Sequence, residues 1–223
     1  MKIQFFGHSC VMFTTSLGSL MIDPFLQGNP VNRVPLEEVN PDVVVITHGH
    51  GDHFGNAVEL EAKGAKLISS VEVIGYAQKQ GAKNVVGMNI GGTYRSPVGS
   101  IKFTPAWHSS SLPDGSYGGM PMGVILELDG KKIYHTGDTA LFSDMGLIGK
   151  AGIDLAFVCC GDHYTMGVDD ALEAVKLIQP KALVPIHHST FGLIEQDANA
   201  LCAKAETLGV KGYPMKPGET LEF

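Results

Sequence analysis

The sequence has little that points to nucleic acid, to a membrane or to secretion. Charged residues make up only 17% of the 223 residues and the net charge is −7, so no basic surface is expected that would neutralise phosphates. No apolar run is long enough to span a bilayer, and the N-terminus shows no basic segment, apolar stretch or cleavage site of a secretory signal. These absences disfavour nucleic-acid and membrane partners and favour a small-molecule substrate.

Cysteine is also scarce. The chain has 4 cysteines, and Cys159 and Cys160 are adjacent inside an apolar run, which is typical of reduced core thiols rather than of a disulfide framework. No cysteine pair flanks the histidine-rich segment of the chain, which excludes a zinc finger. Together with the missing signal sequence, this predicts a cytoplasmic protein.

What the chain does contain is apolar residues and turn formers. Hydrophobic residues make up 44% of the chain, with 28 glycines and 12 prolines, as expected of a globular enzyme with many tight turns. No Pro/Gly/Ser-rich linker divides it. We therefore predict one domain, 1–223, built of two similar halves of about 1–95 and 96–223. The sequence leaves the oligomeric state open, and a homo-oligomer is compatible with it.

Each half begins with hairpin-like strands and continues with alternating strands and helices. Apolar alternation and buried runs predict strands near 2–6, 10–15, 19–23, 42–46, 100–106, 122–128, 131–136, 154–160, 181–186 and 219–222. Helical periodicity predicts helices near 53–63, 139–149, 168–178 and 195–208. Two such halves imply two mixed sheets packed face to face with helices outside both, a four-layer α/β/β/α sandwich.

Residue types that bind metals are most concentrated in the run Thr47-His48-Gly49-His50-Gly51-Asp52-His53, directly after the apolar run 42–46. A buried strand that stops at polar, glycine-spaced residues allows side chains to converge at a sheet edge. Imidazoles suit zinc, iron, manganese and nickel, and a carboxylate can hold a second ion or orient a water. The run therefore predicts a metal site.

Three further metal-binding side chains follow predicted strands. They are His108 in Trp107-His108-Ser109, Asp138 in Gly137-Asp138-Thr139, and His187 in Pro185-Ile186-His187-His188. A lone histidine after a strand is ordinarily a surface or core residue. Their order behind a His-x-His-x-Asp-His cluster favours a shared site instead.

In this order of motifs the chain resembles the metallo-β-lactamase superfamily. The motifs Gly7-His8-Ser9, Asp23-Pro24-Phe25, Asp162 to Gly167 and Pro185-Ile186-His187 resemble more narrowly a small family of metal-dependent hydrolases related to the ascorbate-6-phosphate lactonase branch. The secretion signal and cysteine ligand of true β-lactam-hydrolysing enzymes are not evident, so antibiotic hydrolysis is not expected.

The resemblance implies a ligand set for two metal ions. His48, His50 and His108 correspond to ligands of the first ion, Asp52, His53 and His187 to ligands of the second, and Asp138 to a bridging carboxylate. His187 is preferred to His188 because the ligand in similar families follows Pro-x directly, and alternation along the strand points His188 the other way.

Five other polar residues are candidates for roles around the ions. Asp23 is expected to orient a ligand histidine through its distal nitrogen. His8 is compatible with a hydrogen bond to substrate, to a ligand carboxylate or within the core, and His135 with packing or support of the ligands. Asp162 and His163 either line the substrate pocket or belong to an ordinary loop.

These residues predict a metal-dependent hydrolase of unknown substrate. Its nucleophile would be a dinuclear metal-bound hydroxide, oriented by Asp52, and its cofactors two divalent ions, Zn before Mn, Fe or Ni. The substrate would be a small anionic ester, lactone or phosphoester, because the loaded centre keeps positive charge. Three alternatives stay open: an iron-dependent redox or persulfide-oxidising enzyme, a phosphodiesterase or RNA nuclease, and a non-catalytic metal-binding module.

Overall fold

The alternating segments form two seven-stranded sheets in a computed structural model that describes residues 1–223. The strands are β1 Lys2–Gly7, β2 Cys10–Thr15, β3 Gly18–Ile22, β4 Val43–Val45, β5 Lys66–Ser70, β6 Val85–Met88, β7 Thr93–Arg95, β8 Ser100–Pro105, β9 Met122–Leu128, β10 Lys131–His135, β11 Leu155–Cys159, β12 Ala182–Ile186, β13 Lys211–Gly212 and β14 Thr220–Glu222. The first sheet has the order β14-β1-β2-β3-β4-β5-β6, and the second has the order β13-β12-β11-β10-β9-β8-β7.

Six helices connect the strands. They are α1 Gly51–Phe54, α2 Ala57–Ala62, α3 Val71–Lys79, α4 Met145–Gly149, α5 Val168–Ile178 and α6 Ala198–Glu206, with short 3-10 turns at Leu36–Glu38 and Gly192–Ile194. None of these helices is both long and apolar enough to cross a bilayer.

The helix predicted at 195–208 is trimmed at both ends to Ala198–Glu206, and two other predicted helices are interrupted or begin late because some of their residues contact other parts of the fold. The helix predicted at 53–63 is broken at Gly55, whose φ is 43° and whose missing side chain lets it lie against the Pro24 carbonyl. The helix predicted at 139–149 starts only at Met145. Its first residues instead pair with a neighbouring loop, where the Ala140 N–H donates to the Trp107 carbonyl at 2.9 Å.

The two sheets exchange edge strands relative to the predicted halves. β14, at the C-terminus, pairs antiparallel with β1 in the first sheet. β7 lies before residue 96 but pairs antiparallel with β8 in the second sheet. The division near residue 95 therefore does not coincide with the boundary between the sheets, although the predicted four-layer arrangement is confirmed.

The largest core contains 42 buried residues; it fills the space between the sheets and continues between the second sheet and α4, α5 and α6. Phe13 on β2 meets Phe157 on β11 edge to face, with ring centroids 5.6 Å apart, an arrangement that contributes about 0.5–1.5 kcal/mol beyond area burial. A second core of 17 residues packs the first sheet against α1, α2 and α3. The four cysteines are buried and unpaired, as the sequence predicts.

Candidate metal centre

The chemistry-bearing residues of both sheets lie at one edge, just beyond the carboxyl ends of strands. In the first sheet β1, β3 and β4 share a direction, because two antiparallel pairings separate β1 from β3 and the β3–β4 pairing is parallel. In the second sheet β8, β10 and β12 share a direction for the same reason. The residues that follow these strands are His8, Asp23, the cluster at 48–53, His108, Asp138 and His187. The topology thus collects side chains from both halves of the chain.

His48, His50 and His108 form one group, whose ligand nitrogens lie within 4.8 Å of one another. Thr47 donates its hydroxyl hydrogen to a carboxylate, so His48 Nδ1 must donate to Thr47 Oγ1, at 3.0 Å. His48 Nε2 is then a lone pair, and it lies 2.9 Å from Nδ1 of His50. The hydrogen bonds therefore prepare His48 as an Nε2 ligand.

His8, Asp52, His53 and His187 form a second group, with ligand atoms also within 4.8 Å of one another. The His53 ring is fully buried and its Nδ1 donates to Asp23 Oδ2 at 2.7 Å, which directs Nε2 into the group, where it can bind a metal ion once it loses its proton. Asp52 is the most accessible member, with 32% of its side chain exposed.

Asp138 contacts imidazoles of both groups through one oxygen. Its Oδ2 lies 2.9 Å from His187 Nε2, 3.3 Å from His53 Nε2 and 3.6 Å from His108 Nε2. The residue is buried at the end of β10. A single carboxylate therefore lies between the two groups, and its role as a bridging ligand stays a prediction.

Asp23 holds the loop that carries the cluster. Besides His53, it accepts hydrogen bonds from the Thr47 N–H and the Thr47 hydroxyl, both at 2.8 Å. It is fully buried at the end of β3. One carboxylate thus holds Nδ1 of His53 directly and orients His48 through Thr47.

The pKa values of two histidines in the centre are shifted in opposite directions. Burial drives the pKa of His48 well below its ordinary value. Burial acts in the same direction on His53, but the carboxylates of Asp138 and Asp23 outweigh it and raise the pKa of His53 well above its ordinary value. Burial alone would raise the pKa of Asp138, whereas the charges of His187 and His53 hold it well below its usual range. Protein groups alone therefore already keep Asp138 ionised.

The donor atoms suit divalent metal ions. His53 Nε2 and Asp138 Oδ1 are buried and have no hydrogen-bond partner in the protein. His53 Nε2 is near enough to Asp138 Oδ2 for an ion pair, but it makes no hydrogen bond there. The facing nitrogens of His48 and His50 repel each other unless a proton or a cation lies between them. Imidazole nitrogens and carboxylate oxygens with unused lone pairs are ligands that Zn²⁺ and similar ions prefer.

His8 lies in contact with the proposed ligands. The sequence left several hydrogen-bond partners open for it, and the structure shows which ones it has. Its Nε2 donates to Asp52 Oδ2 at 3.0 Å, and its Nδ1 lies 3.0 Å from the Thr190 hydroxyl. Burial lowers the pKa of His8 to about 4, although the hydrogen bond to Asp52 opposes this. Burial also acts to raise the pKa of Asp52, but the hydrogen bond from His8 and the charge of His53 hold it below its usual range. His8 thus holds the Asp52 carboxylate in place.

The remaining candidates lie outside the cluster. His135 Nε2 donates to the Ser9 carbonyl at 3.1 Å and its Nδ1 accepts from the Gly137 N–H at 3.1 Å, so the residue supports the turn before Asp138. Asp162 and His163 are exposed in a loop and do not line the cavity at the centre. His188 lies beside Ser189, with its Nδ1 3.3 Å from the Ser189 hydroxyl, and belongs to none of the ligand groups.

The backbone at the centre adopts unusual conformations. His8, Asp23 and His187 have φ values of 59°, 47° and 54°, in the left-handed region that non-glycine residues seldom occupy. Gly161 lies so close to the His187 carbonyl that a Cβ would collide with it. Such conformations cost about 1–3 kcal/mol each and persist where the surrounding structure enforces them. Directing these side chains toward the centre therefore lowers the stability of the fold at these positions.

A cavity of about 460 Å³ opens beside the two groups. Its polar wall contains His8, His50, Asp52, His108, Asp138 and His187, with Ser109 from the loop after β8. The rest of the wall is Tyr164, Phe191, Leu193 and Ile194, which follow β11 and β12. The sequence did not reveal these four residues, because loop apolar residues carry no periodic signal; position after a strand end was the only available hint.

A comparison with protein families places this geometry. Residues 13–188 match the family model described as the β-lactamase superfamily domain. The chain belongs to the metallo-β-lactamase superfamily. The matched span contains the cluster at 48–53 and extends through His187, whereas His8 lies before it. The resemblance predicted from the order of the motifs is confirmed.

Relatives within the superfamily match over the whole chain. A protein of Thermus thermophilus named UPF0173 metal-dependent hydrolase is 54% identical over 222 residues, covering 100% of this chain and 99% of the relative. A protein of Deinococcus radiodurans with the same family name is 48% identical and covers 100% of both chains. Among solved structures, Igni18, a metallo hydrolase of the archaeon Ignicoccus hospitalis, is 39% identical, with a TM-score of 0.89 over 100% of this chain and 98% of that one.

Proposed function

We propose that this protein is a hydrolase that holds two divalent metal ions, most readily Zn²⁺, and cleaves a small ester, lactone or phosphoester. The observation that carries the proposal is the position of Asp138. Its Oδ2 lies between imidazoles of two separate groups, at 2.9 Å from His187 and 3.6 Å from His108. A closed structural site for one ion has no use for a carboxylate shared between two groups of donors, whereas a pair of ions can be bridged by one. The names of the UPF0173 relatives support the same activity.

Each ion has its own protein donors in this proposal. The first is assigned to the three imidazoles of the first group, and the second to the carboxylate and two imidazoles that follow β4 and β12, with Asp138 shared. The donors are His48, His50 and His108 for the first ion and Asp52, His53 and His187 for the second. When bound, such ions lower the pKa of a water to near ~7 and stabilise developing negative charge.

Asp52 is the group assigned to orient the attacking water. The hydrogen bond from His8 is made to Oδ2, which leaves Oδ1 available for the water. With its pKa below the usual range, the carboxylate stays ionised at neutral pH and accepts a hydrogen bond rather than giving one. His8 keeps this carboxylate from rotating, and the burial of His8 and His53 keeps bulk water away from that side.

The test joins metal analysis to an activity screen. Protein purified without added metal is analysed for the identity and number of ions, with an optical spectrum to detect iron, and is then screened against lactones, esters and phosphodiesters. We expect two ions per chain and hydrolysis that falls at least about 100-fold in Asp52→Asn, a typical cost of losing a positioned polar group. Asp162→Asn changes an exposed carboxylate outside the cavity and is the matched control. Metal-loaded protein inert toward the whole panel, or an Asp52→Asn variant as active as wild type, contradicts the proposal.

A further inference from the structure

One wall of the cavity beside the metal centre is apolar, and its side chains have no role in binding the metal ions. Tyr164, Phe191 and Leu193 line it with 54%, 41% and 62% of their surface exposed. Contiguous exposed apolar side chains on a soluble protein ordinarily mark a binding surface. Since these three flank the proposed site of hydrolysis, the substrate itself is the molecule best placed to cover them.

The apolar wall is held in position by the fold. The Phe191 ring packs edge-on against His8, with centroids 5.6 Å apart. Ile194 is fully buried, and its N–H donates to the Phe191 carbonyl at 3.0 Å, which anchors the turn and leaves Leu193 on the outside. The loop of Tyr164 is tied to the turn after Asp138 by the Met166 N–H, which donates to the Thr139 carbonyl at 3.1 Å. The wall is therefore built together with the metal-ligand loops.

The cavity contains no lysine or arginine. A substrate with a phosphate or carboxylate away from the reacting bond would meet no counter-charge there, because the metal centre itself serves the reacting group. The positive charge of the metal-loaded centre therefore acts on the reacting group, and the rest of the cavity favours a substrate that is uncharged away from the bond being cleaved. The cavity volume of about 460 Å³ lies within the range of about 300–1,000 Å³ that is typical of ligand pockets, which is room for an ester with an alkyl or aryl group of several carbons.

We propose, on the basis of the proposed function, that the substrate is an uncharged ester or lactone with an apolar group of several carbons that packs on Tyr164, Phe191 and Leu193. Each methylene that becomes buried strengthens binding by up to roughly fourfold. Against a partly open wall we expect a rise in kcat/KM of about twofold to fourfold per methylene until the cavity is full.

The experiment uses the metal-loaded full chain and two homologous series. Rates are measured for γ-lactones with unbranched side chains and for 4-nitrophenyl esters from acetate to octanoate, with carboxylate-terminated esters of equal length as the charged comparison. Binding of butyrate, hexanoate and octanoate is measured by calorimetry, which needs no turnover. Leu193→Ala should reduce the increase of kcat/KM per methylene to half of the wild-type value or less. Leu193→Lys should shift the preference toward the carboxylate-terminated esters.

Leu147→Ala is the matched control, because Leu147 is 61% exposed, close to the 62% of Leu193, but lies on α4 outside this cavity. Hydrolysis that is flat or falls with chain length overturns the inference and leaves the proposed hydrolase intact. A third outcome is that no substrate is hydrolysed, that octanoate binds more tightly than butyrate, and that Leu193→Lys loses this difference in binding. That outcome supports the apolar wall as a binding surface, while the proposed hydrolase function fails. If the protein self-associates, Leu193→Lys abolishes this association, and hydrolysis rates do not change with chain length, then the wall binds a second copy of the chain and the inference is overturned.

Discussion

Replacing Asp23 by asparagine isolates the role of the buried carboxylate that binds no metal in our assignment. Asp23 accepts from His53 Nδ1 at 2.7 Å and from the N–H and hydroxyl of Thr47, both at 2.8 Å. Asparagine can keep one carbonyl acceptor, but its amide nitrogen donates. It cannot accept from both His53 and Thr47 as the carboxylate does, so His53 is driven toward the tautomer whose proton sits on Nε2. A protonated Nε2 cannot ligate a metal.

The magnitude follows from the kind of contact that is lost. Removing the partner of a ligand histidine costs about 10- to 100-fold in metal affinity, which is about 1.4–2.7 kcal/mol. Without metal, His53 and Asp23 are a buried pair with both side chains at 0% exposure. Breaking such a pair costs about 3–5 kcal/mol, and we expect the lower end because Asp138 still faces His53.

The assay is a chelator-competition titration of the two ions, with urea unfolding of the metal-free protein beside it. We expect one ion to be weakened strongly and the metal-free protein to lose about 3 kcal/mol. Asp42→Asn is the control, because Asp42 also accepts from a backbone N–H and a hydroxyl, those of Ser19 at 2.7 and 2.9 Å, but is exposed and far from the site. Two ions bound by Asp23→Asn with wild-type affinity would refute the reasoning.

Three further predictions test the centre from other sides. Removing metal with a chelator should abolish hydrolysis and lower the melting temperature by several degrees, since the ions bind the folded state, and calorimetric scanning checks this with re-addition of metal as the control. His187→Ala should remove one ion while His188→Ala keeps both, as measured by metal analysis; equal losses would contradict the placement of His187 in the ligand group. Gly161→Ala should displace His187 through a collision with its carbonyl and weaken metal binding at least about tenfold, whereas Gly75→Ala meets nothing within 4 Å and should leave affinity unchanged.

The ligand residues could be proposed from the sequence because most are local. His48, His50, Asp52 and His53 lie within six positions after an apolar run, so a strand end predicts their convergence without any knowledge of the rest. Distant His187 was reached through a family resemblance, since spacing alone cannot show that two strand ends meet. Their assignment to particular ions stays a prediction until metal is measured.

Other features of the site gave no sequence signal. For His8 the sequence left open whether it hydrogen-bonds a substrate or ligand carboxylate or makes a structural hydrogen bond in the core, and only the structure shows the hydrogen bond to Asp52. The apolar wall is similar, because Leu193 in a turn looks like any loop residue until Ile194 is seen buried beneath it. Conversely, Asp162 and His163 follow a buried strand as the ligands do, yet a tight loop turns them to solvent.

Local sequence patterns predict most of the strands and helices, the strand ends at which functional side chains can meet, and the cluster of histidines and carboxylates. Those properties are local, because apolar periodicity and turn residues act over a few positions. Three features are visible only in the folded chain: Asp138 contacts both imidazole groups, edge strands β7 and β14 cross between the halves, and an apolar wall without cations faces the centre. These depend on which strand ends meet at one edge, and that is settled by the packing of the two sheets over their shared core.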